Sequence, residues 1–238
     1  MPGELVLLHG FTQTGRSWAP VLAELGERYR AFAPDLPGHG AFSARRPADP
    51  PGCVAYLRAL RAPRFTLVGY SMGARVALRA ALDLPGRVER LVLVSGSAGI
   101  EDDGEREARR RADEALAARI ETGDLEAFLD EWSAQPLLAG VPRGVAELDR
   151  RTRSANTPSG LAAALRGLGQ GAFEPMWDRL GELAMPVTLV AGERDERYAE
   201  AARRTAERIA DAEVVIVPGA GHALPLERPD AVADAIGR

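Results

Sequence analysis

Six short, largely apolar runs punctuate the chain: Leu5–Leu8, Arg30–Ala33, Phe65–Val68, Leu91–Val94, Val187–Val190 and Val214–Val217. Each is bounded by Gly, Pro, Asp or Ser, and none alternates between apolar and polar residues as a half-exposed strand would. Short continuous runs of this kind predict strands buried on both faces. Between them lie stretches with apolar residues at helical spacing, Trp18–Leu25, Val54–Leu60, Arg75–Leu84 and Glu200–Ile209. Strands alternating with helices imply a mostly parallel central sheet with helices on both faces, an α/β architecture.

The alternation breaks once, over residues 99–184. That stretch is charged and helical in pattern, as in Glu105–Ile120 and Leu125–Trp132, and offers no convincing strand. Both flanks read as one sheet, so the expectation is a core of residues 1–98 and 185–238 interrupted by a helical lid insertion. The mixed-charge run from Glu105 to Arg111 reads as a solvated helix face. A length of 238 residues suits one such domain.

Composition narrows the chemistry. Thirty basic residues against 34 acidic ones give a net charge of -4, which predicts no general affinity for nucleic acid or anionic membranes. The sequence has no Lys, so all of its basic residues are Arg and Schiff-base catalysis by lysine is excluded. Cys53 is the single cysteine, which rules out an intrachain disulfide and a cysteine-based zinc site. Its position after Pro50-Pro51-Gly52, where a loop enters a helix, reads as a structural or solvent-facing thiol rather than a nucleophile. A leader pattern and a membrane-length apolar run are both missing, so a cytoplasmic protein acting on a small molecule, as a monomer or weak homo-oligomer, is expected. The three histidines occupy separate loops, and neither a metal nor a cofactor is expected.

Gly69-Tyr70-Ser71-Met72-Gly73 lies directly between the third apolar run and a helix. A strand-to-helix turn this tight holds a serine in strained backbone geometry, and glycines two residues to either side let strand and helix approach. Serine needs a base, and of His9, His39 and His222 only His222 follows it, in the loop after the last run. In this kind of turn the chain order is serine, acid, histidine. Gly192-Glu193-Arg194-Asp195 follows the fifth run, and Asp195 is the predicted acid because Glu193 would sit inside the turn. The backbone N–H groups of Phe11 and Met72 are the predicted oxyanion hole. His9 and His39 are expected to hold loops rather than perform chemistry.

These segments, with Leu8-His9-Gly10-Phe11 and Asp35-Leu36-Pro37-Gly38-His39-Gly40, resemble the α/β-hydrolase superfamily over nearly the whole chain. Tyr70 before the serine and Arg75 four residues after it point further. So do Ser95–Ile100 leading into an Arg-rich helix, the segment Phe128–Pro136, and Arg151–Asn156. In these the chain resembles the 2-succinyl-6-hydroxy-2,4-cyclohexadiene-1-carboxylate synthase family of menaquinone biosynthesis. The resemblance implies a substrate pocket lined by Tyr70, Arg75, Arg109, Trp132 and Arg153, and an anionic carboxylate substrate for guanidinium forks to bind. It implies elimination of pyruvate, with Ser71 as base and the oxyanion hole stabilising charge on a substrate carboxylate.

The sequence departs from that family at Ala98, where a proline is usual, and at Pro225, often a histidine. It also lacks the strands that normally precede the first run, so the expectation is either a sheet shorter at one edge or a start codon placed too late. Each pocket arginine has a second reading: Arg75 would pair with a surface carboxylate on its own helix, and arginine neighbours would take the places of Arg109 and Arg153. Trp132 would then only pack the lid. A carboxylesterase or carbon–carbon bond hydrolase with the same triad is the alternative activity, and a non-catalytic ligand-binding protein the alternative class.

Overall fold

The computed structural model describes residues 3–138 and 140–238. All six runs are strands: β1 (Gly3–Leu8), β2 (Tyr29–Phe32), β3 (Phe65–Tyr70), β4 (Val88–Val94), β5 (Val187–Gly192) and β6 (Ala212–Val217). They form one sheet in the order β2-β1-β3-β4-β5-β6, and every pairing is parallel. β4 starts three residues before its apolar run, through Glu89 and Arg90. Its polar start is accommodated because Arg90 Nη2 donates to Thr188 Oγ1 at 3.0 Å and to the Ala235 carbonyl. Among the described residues β2 and β6 are the outer strands, and β2 leaves Phe32 exposed.

Strand side chains alternate between two apolar layers, as the pleat requires. Leu5, Leu7, Val68, Val92 and Val190 pack against α1 (Ala19–Leu25) and α10 (Pro229–Gly237). Val6, Leu8, Leu67, Leu91, Leu93 and Leu189 face the opposite layer of α2 (Pro50–Arg58), α3 (Met72–Asp83) and α8 (Glu196–Ala206). Each fully buried Leu or Val contributes roughly 1.5–3 kcal/mol to that sandwich. α2 begins four residues before the predicted Val54 because Asp49 caps it, accepting from the Gly52 N–H at 2.8 Å, with prolines at the first helical positions. Cys53 therefore lies inside a helix, and burial pushes its thiol up to about 12.

Between β4 and β5 the chain forms α4 (Asp103–Thr122), α5 (Leu125–Ser133), α6 (Arg143–Arg153) and α7 (Pro158–Leu168). Asp102, Asp124 and Thr157 cap α4, α5 and α7 through their side chains. α4, α5 and α7 share a separate apolar cluster that includes Ala117, Ile120, Leu129, Leu161 and Leu165. α9 (Leu224–Glu227) is a single turn after the last strand. No helix of the described residues is long and apolar enough to cross a membrane.

The strand order reverses direction between β1 and β3. The chain leaves β1 toward β2 on one side and leaves β3 toward β4 on the other, so a crevice opens beyond the carboxyl ends of these neighbours. Ligands of open parallel sheets bind at such a switch point. The loop carrying Phe11 and the turn carrying Ser71 both emerge there.

Candidate active site

Ser71 has φ 53° and ψ -108°, a conformation that costs a non-glycine residue on the order of 1–3 kcal/mol. Its surroundings enforce it. A Cβ on Gly69 would lie 2.3 Å from the Gly73 carbonyl oxygen, and one on Gly73 would lie 2.2 Å from that of Leu8. Only glycine at both positions lets α3 start against β1 and β3. The turn aims Ser71 Oγ at His222, whose Nε2 is 3.0 Å away. His222 Nδ1 lies 2.6 Å from Asp195 Oδ2, and both side chains are buried. With Nδ1–H donating to the carboxylate, Nε2 is left to accept from the serine hydroxyl. The three predicted triad residues are thus brought together from three loops, while the exposed Glu193 accepts instead from the Gly219 N–H at 2.8 Å.

The histidine loop is held from several sides. A Cβ on Gly192 would lie 2.3 Å from the Gly221 carbonyl, so the acid and histidine loops are in backbone contact. Ser95 Oγ donates to the His222 carbonyl at 3.0 Å from a left-handed backbone, φ 49°. The Glu227 carboxylate accepts from the N–H groups of Gly221 (2.7 Å) and Ala223 (3.1 Å).

Phe11 and Met72 border the same cavity as Ser71 and His222. Among the described residues no backbone carbonyl accepts from either N–H. His9, fully buried, fixes the Phe11 loop: its Nδ1–H donates to the Gly10 carbonyl at 2.8 Å, and its Nε2 accepts from the Leu36 N–H at 2.9 Å. Both bonds need the neutral ring, and burial lowers its pKa to about 4. His39 packs edge-on against it, 4.9 Å between centroids, and burial likewise holds it well below the usual histidine value.

The cavity has a volume of about 470 Å³, and Tyr70, Arg75, Arg109, Trp132 and Arg153 all line it. Arg75 is not paired along its own helix. It is buried, donates through Nη2 to the Leu168 carbonyl at 3.1 Å, lies 5.4 Å from the Phe173 ring, and leaves Nε without a partner. Burial lowers its guanidinium to about 10, which still leaves it charged at neutral pH. Arg109 Nε contacts Asp113 at 2.7 Å and its Nη1 donates to Gln170 Oε1 at 2.8 Å. Its neighbours are engaged elsewhere: Arg106 pairs with Asp103, Arg110 donates to the Gly171 carbonyl, and Arg111 pairs with Glu107. Arg153 Nε meets Asp149 Oδ2 at 2.5 Å and its Nη1 donates to Thr12 Oγ1, whereas Arg150 pairs with Glu126 and Asp130. Trp132 packs edge-on against Phe11, 5.2 Å between centroids, so it both lines the cavity and joins α5 to the loop after β1. Tyr70 is buried under the Gly10 loop, and burial raises its phenol pKa.

Residues 5–235 match the alpha/beta hydrolase family. The chain belongs to that family. Among α/β hydrolase relatives, it is 34% identical to the putative 2-succinyl-6-hydroxy-2,4-cyclohexadiene-1-carboxylate synthase of Bacillus subtilis (strain 168), over 94% of this chain and 85% of the relative. It is 34% identical to the 2-succinyl-6-hydroxy-2,4-cyclohexadiene-1-carboxylate synthase of Salmonella schwarzengrund (strain CVM19633), covering 100% of this chain and 96% of that one. The solved structure of MenH from S. aureus superposes with a TM-score of 0.92 at 30% identity, covering 98% of this chain and 91% of that chain.

Four polar residues of this α/β hydrolase escaped the sequence reading. Gln170 bridges two of its cavity residues, accepting from Arg109 and donating through Nε2 to Tyr198 Oη at 2.8 Å. The Tyr198 ring lies 4.7 Å from that of His222, so a polar chain runs from α4 to the triad. Asp149 accepts from Ser17 Oγ at 2.8 Å as well as from Arg153. Asn156 donates to the Thr12 and Arg153 carbonyls, at 2.6 and 2.8 Å, and accepts from the Gly40 N–H at 2.9 Å. Only Tyr198 carried a signal, an aromatic three residues after the acid.

Proposed function

We propose that this α/β hydrolase-fold enzyme is a lyase that eliminates pyruvate from 2-succinyl-5-enolpyruvyl-6-hydroxy-3-cyclohexene-1-carboxylate, with Ser71, His222 and Asp195 as the catalytic triad. The observation that carries the reading is the buried guanidinium of Arg75, which borders the same cavity as Ser71 and has no carboxylate partner among the described residues. A pocket for neutral esters would leave that charge buried and uncompensated, at a cost of several kcal/mol. A carboxylate ligand compensates it with a charge-assisted fork. The names of the relatives agree with a polycarboxylated substrate.

The reaction follows from what the ring gains. A second double bond forms when the ring loses a proton from the carbon bearing the succinyl ketone and loses the enolpyruvyl oxygen across the existing alkene. Ser71 Oγ takes that proton as its own hydroxyl proton passes to His222 Nε2. The C–H electron pair becomes the new double bond, the old one shifts, and the C–O bond breaks. Asp195 stabilises the imidazolium. His222 then returns the proton, through Ser71, to the methylene carbon of the departing enolpyruvate, which becomes pyruvate. Charge developing beside the abstracted proton falls on the ketone oxygen, so this oxygen, rather than a carboxylate, is the acceptor for the Phe11 and Met72 N–H groups. No acyl-enzyme forms. Residues 99–184 act as a lid that excludes water from the core of residues 1–98 and 185–238, with Arg109, Trp132 and Arg153 on its inner side.

Pyruvate release, followed while an upstream synthase generates the unstable substrate in the cuvette, tests the reading. Release above background is expected, and Ser71→Ala should lower it by roughly 10²–10⁴-fold, the usual contribution of a positioned base. Turnover of simple aryl esters with no pyruvate release would instead establish a serine hydrolase.

A further inference from the structure

Four arginines border the catalytic cavity, Arg75, Arg109, Arg153 and Arg197. Two already have carboxylate partners within the protein, Arg109 with Asp113 and Arg153 with Asp149. Their N–H groups can still orient a ligand, but their charge is compensated before it arrives. Arg75 and Arg197 have no carboxylate within ion-pair distance among the described residues. Asp195, the cavity's acid, is engaged by His222. Two guanidinium groups are therefore left without a carboxylate partner to meet a ligand, while Asp195 stays anionic behind the neutral His222 ring.

Arg197 sits where helix stability argues against it. It is the second residue of α8, in the first turn, where the helix dipole favours an acid and disfavours a cation by about 0.3–1 kcal/mol. Its guanidinium lies 5.9 Å from the centroid of the adjacent Tyr198 ring and makes no side-chain hydrogen bond or ion pair among the described residues. Two residues earlier the chain supplies Asp195, so the turn that positions the acid also fixes Arg197 at the cavity. On its other side Arg197 borders a groove that carries Glu101, Asp102, Glu105 and Glu200. Arg204 in that groove is already paired with Glu101 at 2.7 Å. An anion is repelled from the groove and drawn to the cavity side of Arg197.

Resting on the proposed lyase reaction, we infer that Arg197 is a substrate-binding residue, and that Arg75 and Arg197 hold the two carboxylates that the ring product retains. The substrate brings three carboxylates to two uncompensated cations, and the surplus charge is the one that leaves with pyruvate.

The test is isothermal titration of the intact protein with 2-succinylbenzoate, a stable aromatic dicarboxylate with the same succinyl arm and ring carboxylate. Arg197→Ala should weaken its Kd about tenfold or more, and Arg197→Lys should restore part of the loss, since an ammonium keeps the charge without the fork. Arg204→Ala, confined to the acidic groove, should change Kd by less than twofold. In the pyruvate assay Arg197→Ala should raise KM by a similar factor while kcat stays within about threefold, the pattern of lost uniform binding. An Arg197→Ala Kd within twofold of wild type, or no dicarboxylate binding by wild type, overturns the inference. Dicarboxylate binding that depends on Arg197 with no pyruvate release would instead overturn the lyase reading while keeping Arg197 as a carboxylate-binding residue of the cavity.

Discussion

Replacing Asp149 with Asn should be among the most damaging changes that leave the triad untouched. The carboxylate and the Arg153 guanidinium are each about 95% buried, at 6% and 4% side-chain exposure, and lie 2.5 Å apart. Asp149 also receives the Ser17 hydroxyl at 2.8 Å and the Gln13 amide at 3.4 Å. An Asn of the same size keeps the volume but strands a buried guanidinium without counter-charge. Breaking a buried pair from one side costs about 3–5 kcal/mol, against a total of about 5–15 kcal/mol for a domain. For a chain of this length each kcal/mol moves Tm by about 2–4 °C, so a fall on the order of 10 °C is expected by far-UV circular dichroism. Removing both charges together, as Asp149→Leu with Arg153→Met, should recover most of the lost stability, because an apolar pair of similar volume is often as stable as a buried ion pair. An Asp149→Asn protein melting within about 2 °C of wild type would refute the reasoning, and with it the view that Arg153 is compensated internally.

Two further changes probe the frame of the site. Gly73→Ala adds a Cβ that would fall 2.2 Å from the Leu8 carbonyl, so α3 must move off β1; we expect a stability loss of about 1–3 kcal/mol and a fall in kcat of at least about a hundredfold, as a displacement on the order of 1 Å at the nucleophile implies. Unfolding should become easier below neutrality, because His9 is held at about 4 when folded but rises to its ordinary 6.5 when unfolded. The unfolded chain then binds the extra proton, so this contribution is complete above about pH 6.5 and is lost on descending to about pH 4, roughly 3 kcal/mol in all. Urea melts across that range should show a flatter profile for His9→Gln; parallel profiles for the two proteins would remove His9 as the cause.

The sheet was legible because its strands are buried on both faces, which writes them as apolar runs with no competing period. What blurred was polar continuation, as where β4 runs back through Glu89 and Arg90 to Val88. In the candidate site, Ser71, Asp195 and His222 could be chosen because chain order alone leaves one histidine after the serine. Arg109 and Arg153 could be chosen only through resemblance, since their arginine neighbours share their composition and differ only in which face of the helix they occupy. Gln170, Asp149 and Asn156 were beyond reach for a plainer reason. Each does its work by bridging segments between about 60 and 140 residues apart, Gln170 to Arg109, Asp149 to Ser17 and Asn156 to Thr12, and a lone amide or carboxylate carries no local mark of a distant partner.

The buried Asn156 side chain divides the enzyme into parts that can and cannot be exchanged by a protein engineer. One amide clasps the loop after β1, the end of α6 and the Gly38–Gly40 turn at a single point. Any graft that replaces α6 or α7 from another scaffold must carry this residue and all three of its backbone partners, or the loop bearing Phe11 loses its anchor. α4 instead packs along α7 and reaches Gln170 through Arg109, while Trp132 of α5 meets Phe11 edge-on, so a library that retunes the substrate range does so by single substitutions on these inner faces, with the Asn156 clasp left intact beneath them.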